Sequence, residues 1–419
     1  MTTTVATTAA DAADSGDGVL ERVRQLKPLL RADALENDRI QRIPERSLAA
    51  LKEAGVWKMM TPKYYGGYET PFPTVFETLR TIVSACPSIG WATTLTSINW
   101  LVARCCDELQ DEIFGDNPNA LIPSVFGSFG ARAKRVSGGI EIVGGGRWGF
   151  NSGCPDGDWD LLGAVVDEPD GSETRLWIAF PISDLELVND WDVTGARGTA
   201  SWSVTCGDIF VPSHRLLSNR NDLFGGDSAN ESKRQANNPY YGPPPYMVFS
   251  NFLALIPSGV ADGALEVFVE QLPGRKITHT DYLSASEAPI VHLQVGEATM
   301  KASAIDAIRE RLVGLCTNWK PGDPELPAEI RREHLVGGPV YCYQLAREAV
   351  DLLYLASGPR VIREDNPIQR FQRDIQAFAQ HVLLHPDTQF ENIGRVRCGL
   401  PPFSGAARTA GRPAPTGSS

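Results

Sequence analysis

The sequence predicts an α+β protein built in the order helices, sheet, helices. Three observations carry this. Apolar residues recur at helical spacing from about Gly18 to Asn119. Short alternating apolar runs set off by glycines occupy about Leu121 to Phe224. Helical spacing then returns at about Val248 and holds nearly to the end. These changes divide the chain into a helical part over 18–120, a central β part over 121–225 and a helical bundle over 226–403. Residues 1–17, rich in Thr, Ala, Asp and Ser, read as a disordered leader, and 404–419, rich in Gly, Pro, Ala and Ser, as a disordered tail.

Within the first part, Val19, Val23, Leu26 and Leu30 share one helix face. Pro44 to Ala54 is a second helix, stopped by Gly55. Val75, Phe76, Leu79, Ile82 and Val83 form another stripe, and Ser88 to Cys106 reads as one long apolar segment holding Trp91, Asn99 and Trp100. A short acidic helix over Asp107 to Phe114 ends at Gly115.

In the β part, Gly138-Gly139 and Gly144-Gly145-Gly146 punctuate the apolar runs as hairpin turns do. Leu161 to Val166, Leu176 to Phe180 and Trp202 to Val211 read as strands. A long connector over Asp227 to Tyr246, rich in Pro and Tyr, leads to the bundle. There Ile305, Ile308, Leu312 and Leu315 keep a 3-4-3 spacing, and Gly358-Pro359 breaks the helical stretch begun at Ile330. The last marked helix opens at Asn366-Pro367 and is expected to run to about Leu384. Ile368, Phe371, Ile375, Phe378 and Val382 form its apolar stripe, with Arg370, Asp374, Ala377 and His381 on a second stripe beside it. A guanidinium, a carboxylate and an imidazole beside a core face are costly to bury unless they pair or bind something; the plain alternative is a solvated face with an Arg370–Asp374 pair.

A formal charge of −12 and a pI near 5.1 disfavour nucleic acid or an anionic membrane as partner. No secretion signal and no uninterrupted membrane-spanning apolar run are expected. Eight cysteines without a CxxC pair indicate reduced thiols and a cytoplasmic setting, and no zinc site is expected.

The chain has no P-loop or serine-hydrolase elbow, and the glycine-rich stretch Gly144 to Gly149 is followed by no helix, as a dinucleotide fingerprint would need. Asp156, Asp158, Asp160 and Asp167 mimic a calcium loop, but Leu161 stands where the turn glycine is needed, so no metal is expected. Trp148, Phe150 and Ser152 alternate, which on a regular strand gives them one face. Two rings and a hydroxyl would suit a flat heteroaromatic ligand; core packing with a surface serine explains the same pattern.

Several stretches together resemble the acyl-CoA dehydrogenase superfamily. Ile43-Pro44-Glu45 through Leu51, Gly55-Val56-Trp57 and Thr61-Pro62-Lys63-Tyr64-Tyr65-Gly66-Gly67-Tyr68 are similar to its N-terminal helical signature. Ser88-Ile89-Gly90-Trp91, Gly146 to Cys154 with Asp158-Trp159, and Asn366 to Phe371 with Arg373-Asp374 and His381 resemble its flavin-dependent monooxygenase branch. The resemblance implies an N-terminal helical domain, a central β-barrel or sheet domain and a C-terminal four-helix bundle, assembled as a homotetramer. The superfamily's glutamate base has no counterpart in the expected Tyr-Glu-Gly-Thr-type segment, which disfavours thioester desaturation.

The implied activity is that of an oxygenase component of a two-component system. Reduced FMN or FAD diffuses in from a separate flavin reductase, reacts with O2 to a C4a-hydroperoxide, and delivers one oxygen to a small-molecule substrate, an aromatic phenol or polyketide. By the same resemblance Ser152 lies near flavin N5, Trp148 and Phe150 shape the ring pocket, and His381 bonds the oxygenated flavin. Arg370 and Asp374 support that wall or the flavin's polar end. Trp91, Asn99, Trp100 and Tyr246 face the substrate, with Tyr240-Tyr241 and Pro243 to Tyr246 as lid or plain connector. Asn99 stands where phenol-hydroxylating relatives often carry a histidine; it can orient a hydroxyl but is a poor base. The alternatives are an N-oxygenase of an amino sugar or amine, an acyl-CoA dehydrogenase, and a non-catalytic flavin-binding protein.

Overall fold

The computed structural model describes residues 17–218, 232–324, 326–401 and 403. The proposed tail, most of the leader and part of the 227–246 connector lie outside them. The chain opens with helices α1 (Asp17–Ile40), α2 (Glu45–Glu53), α3 (Phe72–Ala85), α4 (Pro87–Leu95), α5 (Asn99–Val102) and α6 (Asp107–Phe114). Gly55 ends α2 as expected, at φ +79° and against the Tyr68 ring, where a Cβ would come within 2.7 Å. The apolar segment from Ser88 is not one helix. It breaks after Leu95, where the Thr96 and Ser97 hydroxyls bond back to Ala92 O and Thr93 O and offer the backbone an alternative to helix.

Among the described residues eight strands follow: β1 (Ser124–Val136), β2 (Gly139–Asn151), β3 (Trp159–Asp167), β4 (Glu173–Pro181), β5 (Glu186–Val188), β6 (Trp202–Cys206), β7 (Phe210–Pro212) and β8 (Leu216–Ser218). They form one sheet in the order β5-β6-β2-β1-β3-β4-β8, with β7 also on β2, and among the described residues only the β1–β3 pair is parallel. The sheet is open, with β5 and β8 at its ends, so the barrel alternative is set aside. A turn falls near Gly138-Gly139, as read from the sequence, but its two residues are Ser137-Gly138, and Gly139 already pairs with Val136 in β2. Gly144-Gly145-Gly146 is instead a bulge inside β2: Ala131 pairs with Gly146 while Ala133 pairs with Ile142. The Asp208 carboxylate accepts both freed amides, Gly144 N at 2.7 Å and Gly145 N at 3.1 Å.

The C-terminal helices are α7 (Pro245–Glu270), α8 (Pro289–Thr317), α9 (Gly338–Ala356, entered through a π-helical turn at Arg331–Gly337), α10 (Pro367–Phe378) and α11 (Pro386–Arg397). Helix α7 is long and apolar enough to cross a membrane, but 72% of that window is buried in the bundle. It shares one hydrophobic core with the N-terminal helices: Val75, Phe76, Ile82, Val260, Phe268 and Phe371 belong to the same cluster. The sheet has a separate core around Ile142, Trp148, Leu162, Ile178 and Val204.

Gly263 is where α3, α7 and α10 meet. A Cβ there would lie 2.2 Å from Ser84 O and 2.7 Å from the Phe371 ring. Backbone cannot yield as a flexible side chain does, so Gly263→Ala is expected to cost about 1–3 kcal/mol. Urea denaturation of wild type and variant measures it.

Helix α10 begins as predicted: the Asn366 side chain accepts from Ile368 N at 3.0 Å, and Pro367 takes the first helical position. It stops at Phe378, not near Leu384. The backbone leaves the helix axis through turns His381 N→Phe378 O and Leu384 N→His381 O toward the next start at Pro386. Val382 therefore falls off the apolar stripe and is 57% exposed.

Candidate active site

Three segments distant in sequence converge where α4, α10 and the end of β2 meet. Trp91 on α4 stacks on Phe378 of α10, with ring centroids 4.3 Å apart and planes 11° from parallel. Its indole N–H donates to Ser152 Oγ at 3.0 Å, just past β2. The His381 ring stands edge-on to Trp91, at 5.9 Å and 62°. The early end of α10 frees His381 from the helix surface and places it in this turn. Its Nδ1 accepts from Leu383 N at 3.3 Å, so the neutral ring carries its proton on Nε2. Burial holds the imidazole below its ordinary pKa and keeps it neutral.

Asp374, one turn before Phe378, ties this junction together. Its carboxylate accepts from Ser88 Oγ at 2.7 Å and from Ala196 N at 2.8 Å, joining α10 to the start of α4 and to the 195–201 corner. Burial raises it to about 6, against the pull of those two donors. Sequence pairing of Arg370 with Asp374 is not what the structure shows. Arg370 Nη1 donates to Glu364 O at 2.6 Å, and burial lowers the guanidinium's pKa. Both residues border a cavity of about 390 Å³ lined also by Asn37, Asp38, Cys86 and Ser88. Trp91, Ser152 and His381 do not line that cavity.

Trp148, Phe150 and Ser152 do not share a face. Phe150 adopts a φ of +61°, and the β2–β6 register slips between Trp148 and Asn151. The bulge reverses the alternation. Trp148 points into the sheet core, fully buried, its N–H on Gly163 O at 2.8 Å. Phe150 turns outward, 79% exposed, edge-on to Trp191. Asn151 is buried and donates to Asp160, pinning the end of β2 to the start of β3.

Asn99 is fully buried. Its amide nitrogen donates to Ala120 O at 3.0 Å and Thr61 Oγ1 at 3.2 Å, leaving Oδ1 buried without a partner. Thr96, three residues earlier, abuts Gly153, where a Cβ would sit 2.7 Å from its methyl. Trp100 lies apart, with its N–H on Tyr240 O at 3.0 Å and its ring against Phe72 and Arg104. Tyr246 is in the first turn of α7 rather than a loop, and its hydroxyl is buried without a partner.

Sequence reasoning missed the corner before β6. Ser152 Oγ lies 2.8 Å from Ser201 Oγ, which lies 2.7 Å from Thr199 Oγ1. The signal was the stretch Gly195 to Ser201, in which every residue but Arg197 is small. Such a run allows close packing: a Cβ on Gly195 would meet Arg373 O at 2.2 Å, and one on Gly198 would meet Asn37 Oδ1 at 1.9 Å.

Residues 252–386 match the family model described as acyl-CoA dehydrogenase, C-terminal domain. Fold and match together define a protein of the acyl-CoA dehydrogenase fold. The chain is 30% identical over 395 residues to the flavin-dependent monooxygenase oxygenase subunit HsaA of Mycobacterium tuberculosis, covering 92% of this chain and 96% of that one. It is 27% identical to the oxygenase component of p-hydroxyphenylacetate 3-hydroxylase from Acinetobacter baumannii, over 93% of this chain and 90% of that one. The solved structure of XiaF from a Streptomyces species, in complex with FADH2 and glycerol, superposes with a TM-score of 0.81 at 26% identity, covering 93% of this chain and 97% of that one. The chain belongs to the flavin-dependent monooxygenases, as an oxygenase subunit.

Proposed function

We propose that this chain takes reduced FMN or FAD from a separate flavin reductase and uses O2 to hydroxylate an aromatic small molecule of the phenol or polyketide kind. The observation that carries this is the convergence of Ser152 Oγ, the Trp91–Phe378 stack and the half-buried His381 at one junction. Relatives named as hydroxylases of p-hydroxyphenylacetate and of resorcinol support the substrate class.

These residues fit a flavin: a hydroxyl oxygen for a ring nitrogen, flat apolar walls and a neutral N–H donor. When bound, the reduced flavin supplies the activation of O2. Ser152 would help to hold the ring by hydrogen bonding to one of its nitrogens. The Trp91–Phe378 stack keeps water from that edge. His381 would offer its Nε2–H toward the bound flavin, and burial keeps its basicity low. Asp374 acts from behind by holding Ser88 and Ala196. Asn99 Oδ1 and the Tyr246 hydroxyl, both buried and unpaired, are the polar atoms for the substrate's hydroxyl, with Trp91 as a ring surface; Trp100, packed apart on Phe72 and Arg104, has no part in it. Trp148 and Phe150, one in the sheet core and one at the surface, support the site only through the strand they share.

The test is turnover with 18O2, a flavin reductase and a panel of phenols. One labelled oxygen per hydroxylated product is expected; hydrogen peroxide alone with every phenol would overturn the proposal. His381→Ala is expected to divert roughly tenfold more of the oxygen to hydrogen peroxide while reduced flavin still binds, as loss of one hydrogen bond to the reacting oxygen implies. Unchanged coupling would remove His381 from the mechanism.

We also propose a homotetramer. Ile290, Leu293 and Met300 lie on one side of α8 and are 55%, 70% and 68% exposed, an apolar strip suited to a second copy. The separate, free thiols fit a reducing cytoplasm.

A further inference from the structure

The cavity beside Arg370 lies apart from the junction of Trp91, Ser152 and His381, none of which lines it. It sits between the C-terminal parts of α1 and α7, the α3–α4 connection and the first turns of α10. Its volume of about 390 Å³ falls within the range of small-molecule sites, about 300–1,000 Å³. Much of the wall is apolar, with Ala32, Ala34, Leu35, Val267, Pro367 and Phe371.

Arg370 stands in that wall and is 8% exposed. A guanidinium stays charged in a protein and has five N–H groups to satisfy. Nη1 donates to Glu364 O at 2.6 Å. No carboxylate forms an ion pair with Arg370 among the described residues, because the acids around the cavity are engaged elsewhere. Asp38 accepts from Arg373 at 3.1 Å on each oxygen, and Asp365 from Arg363 at 3.0 Å. Glu270 accepts from Arg31 at 3.0 Å, and Asp374 from Ser88 and Ala196. Arg31, also in the wall, keeps a buried Nε–H without a partner. A buried charge left uncompensated is strongly destabilising, so this wall favours an anion.

We propose that the cavity binds a small organic monocarboxylate, its head on Arg370 and its aromatic or branched body against Leu35, Val267 and Phe371. A planar guanidinium with free N–H groups matches a carboxylate's two oxygens. One negative charge answers the one unpaired cation. A phosphate dianion fits less well, because Asp38, Asp365 and Asp374 in the same wall repel its second charge. Ser88 and Asp374 belong both to this wall and to the hydrogen bond that joins α4 to α10. An occupant therefore braces the two helices that carry Trp91 and Phe378, without touching the flavin junction.

The experiment titrates the full chain, without flavin, with 4-bromobenzoate, 4-bromobenzamide and inorganic phosphate by calorimetry. A crystal soaked in 4-bromobenzoate then locates the bromine by its anomalous scattering. The acid is expected to bind at least about tenfold tighter than the amide and than phosphate, as charge-assisted hydrogen bonds to a buried guanidinium imply, with the bromine beside Phe371. Arg370→Met keeps an unbranched apolar stem and is expected to weaken the acid at least about tenfold while leaving the amide within about twofold. Ala34→Leu keeps Arg370 but narrows the cavity, and is expected to weaken acid and amide alike by at least about tenfold. It carries the test if Arg370→Met does not fold. Equal affinity for acid and amide, tighter binding of phosphate, or undiminished acid binding in a folded variant would overturn the inference. So would binding at crystal concentration only, a bromine found only at the Trp91–Ser152 junction, or a side chain of a second copy filling the cavity. None of these outcomes bears on whether reduced flavin binds beside Ser152, so the proposed function stands or falls separately.

Discussion

Trp91→Ala is expected to lower the unfolding free energy by about 3–5 kcal/mol, as removal of a large buried aromatic does. Trp91 is 6% exposed and joins the three parts of the site by different forces. It meets Phe378 by stacking at 4.3 Å, Ser152 by a hydrogen bond at 3.0 Å and His381 edge-on at 5.9 Å. Its loss leaves a cavity between α4 and α10 and frees the turn that carries His381. Trp91→Phe separates packing from polarity, because it keeps a ring on Phe378 but removes the N–H. The phenylalanine variant is expected to recover most of the stability and to bind reduced flavin more weakly than wild type. Urea denaturation and anaerobic flavin titration of both variants measure the two effects. Equal stability of Trp91→Ala and wild type would mean the stack carries no load.

The second large effect is at Asp160. Its carboxyl is fully buried, has no cation beside it among the described residues and keeps Oδ1 without a partner; the Asn151 amide donates to the other oxygen. Burial raises it to about 7, against the help of that donor. An acid whose pKa is higher folded than unfolded favours folding most when protonated. That contribution is complete below the ordinary carboxylate pKa and is lost as pH rises through about 7. Asp160→Asn has no charge to bury, and its amide offers a donor for the unpaired Asn151 Oδ1. The variant is expected to be more stable than wild type above pH 7 by on the order of 4 kcal/mol, the advantage shrinking toward pH 4. Melting temperatures at pH 5 and pH 8 show this; parallel pH profiles would mean that Asp160 is not held protonated by the fold.

The order helices, sheet, helices was legible because hydrophobic period is a local signal. The Asn366 cap, the Pro367 start and the Gly55 stop were legible for the same reason. Trp91, Ser152 and His381 were singled out from short stretches, and they meet in space. The break after Leu95, the α10 stop at Phe378 and the β2 bulge at Phe150 were not legible. Each depends on a tertiary choice: hydroxyls bonding back to the helix, a chain turning toward Pro386, and a non-glycine residue at positive φ. The bulge misled most, because one inserted residue reverses every later face and moved Trp148 and Phe150 away from Ser152. Ser201 and Thr199 carry no motif, and only the pairing of β2 with β6 brings them beside Ser152.

The most direct measurement is a crystal structure of the chain grown without oxygen in the presence of reduced flavin. The account predicts Ser152 Oγ within about 3 Å of N5, with Trp91 and His381 against the same ring. An isoalloxazine seated instead in the cavity beside Arg370 and Asp374, or one whose N5 meets no part of Ser152, would contradict it.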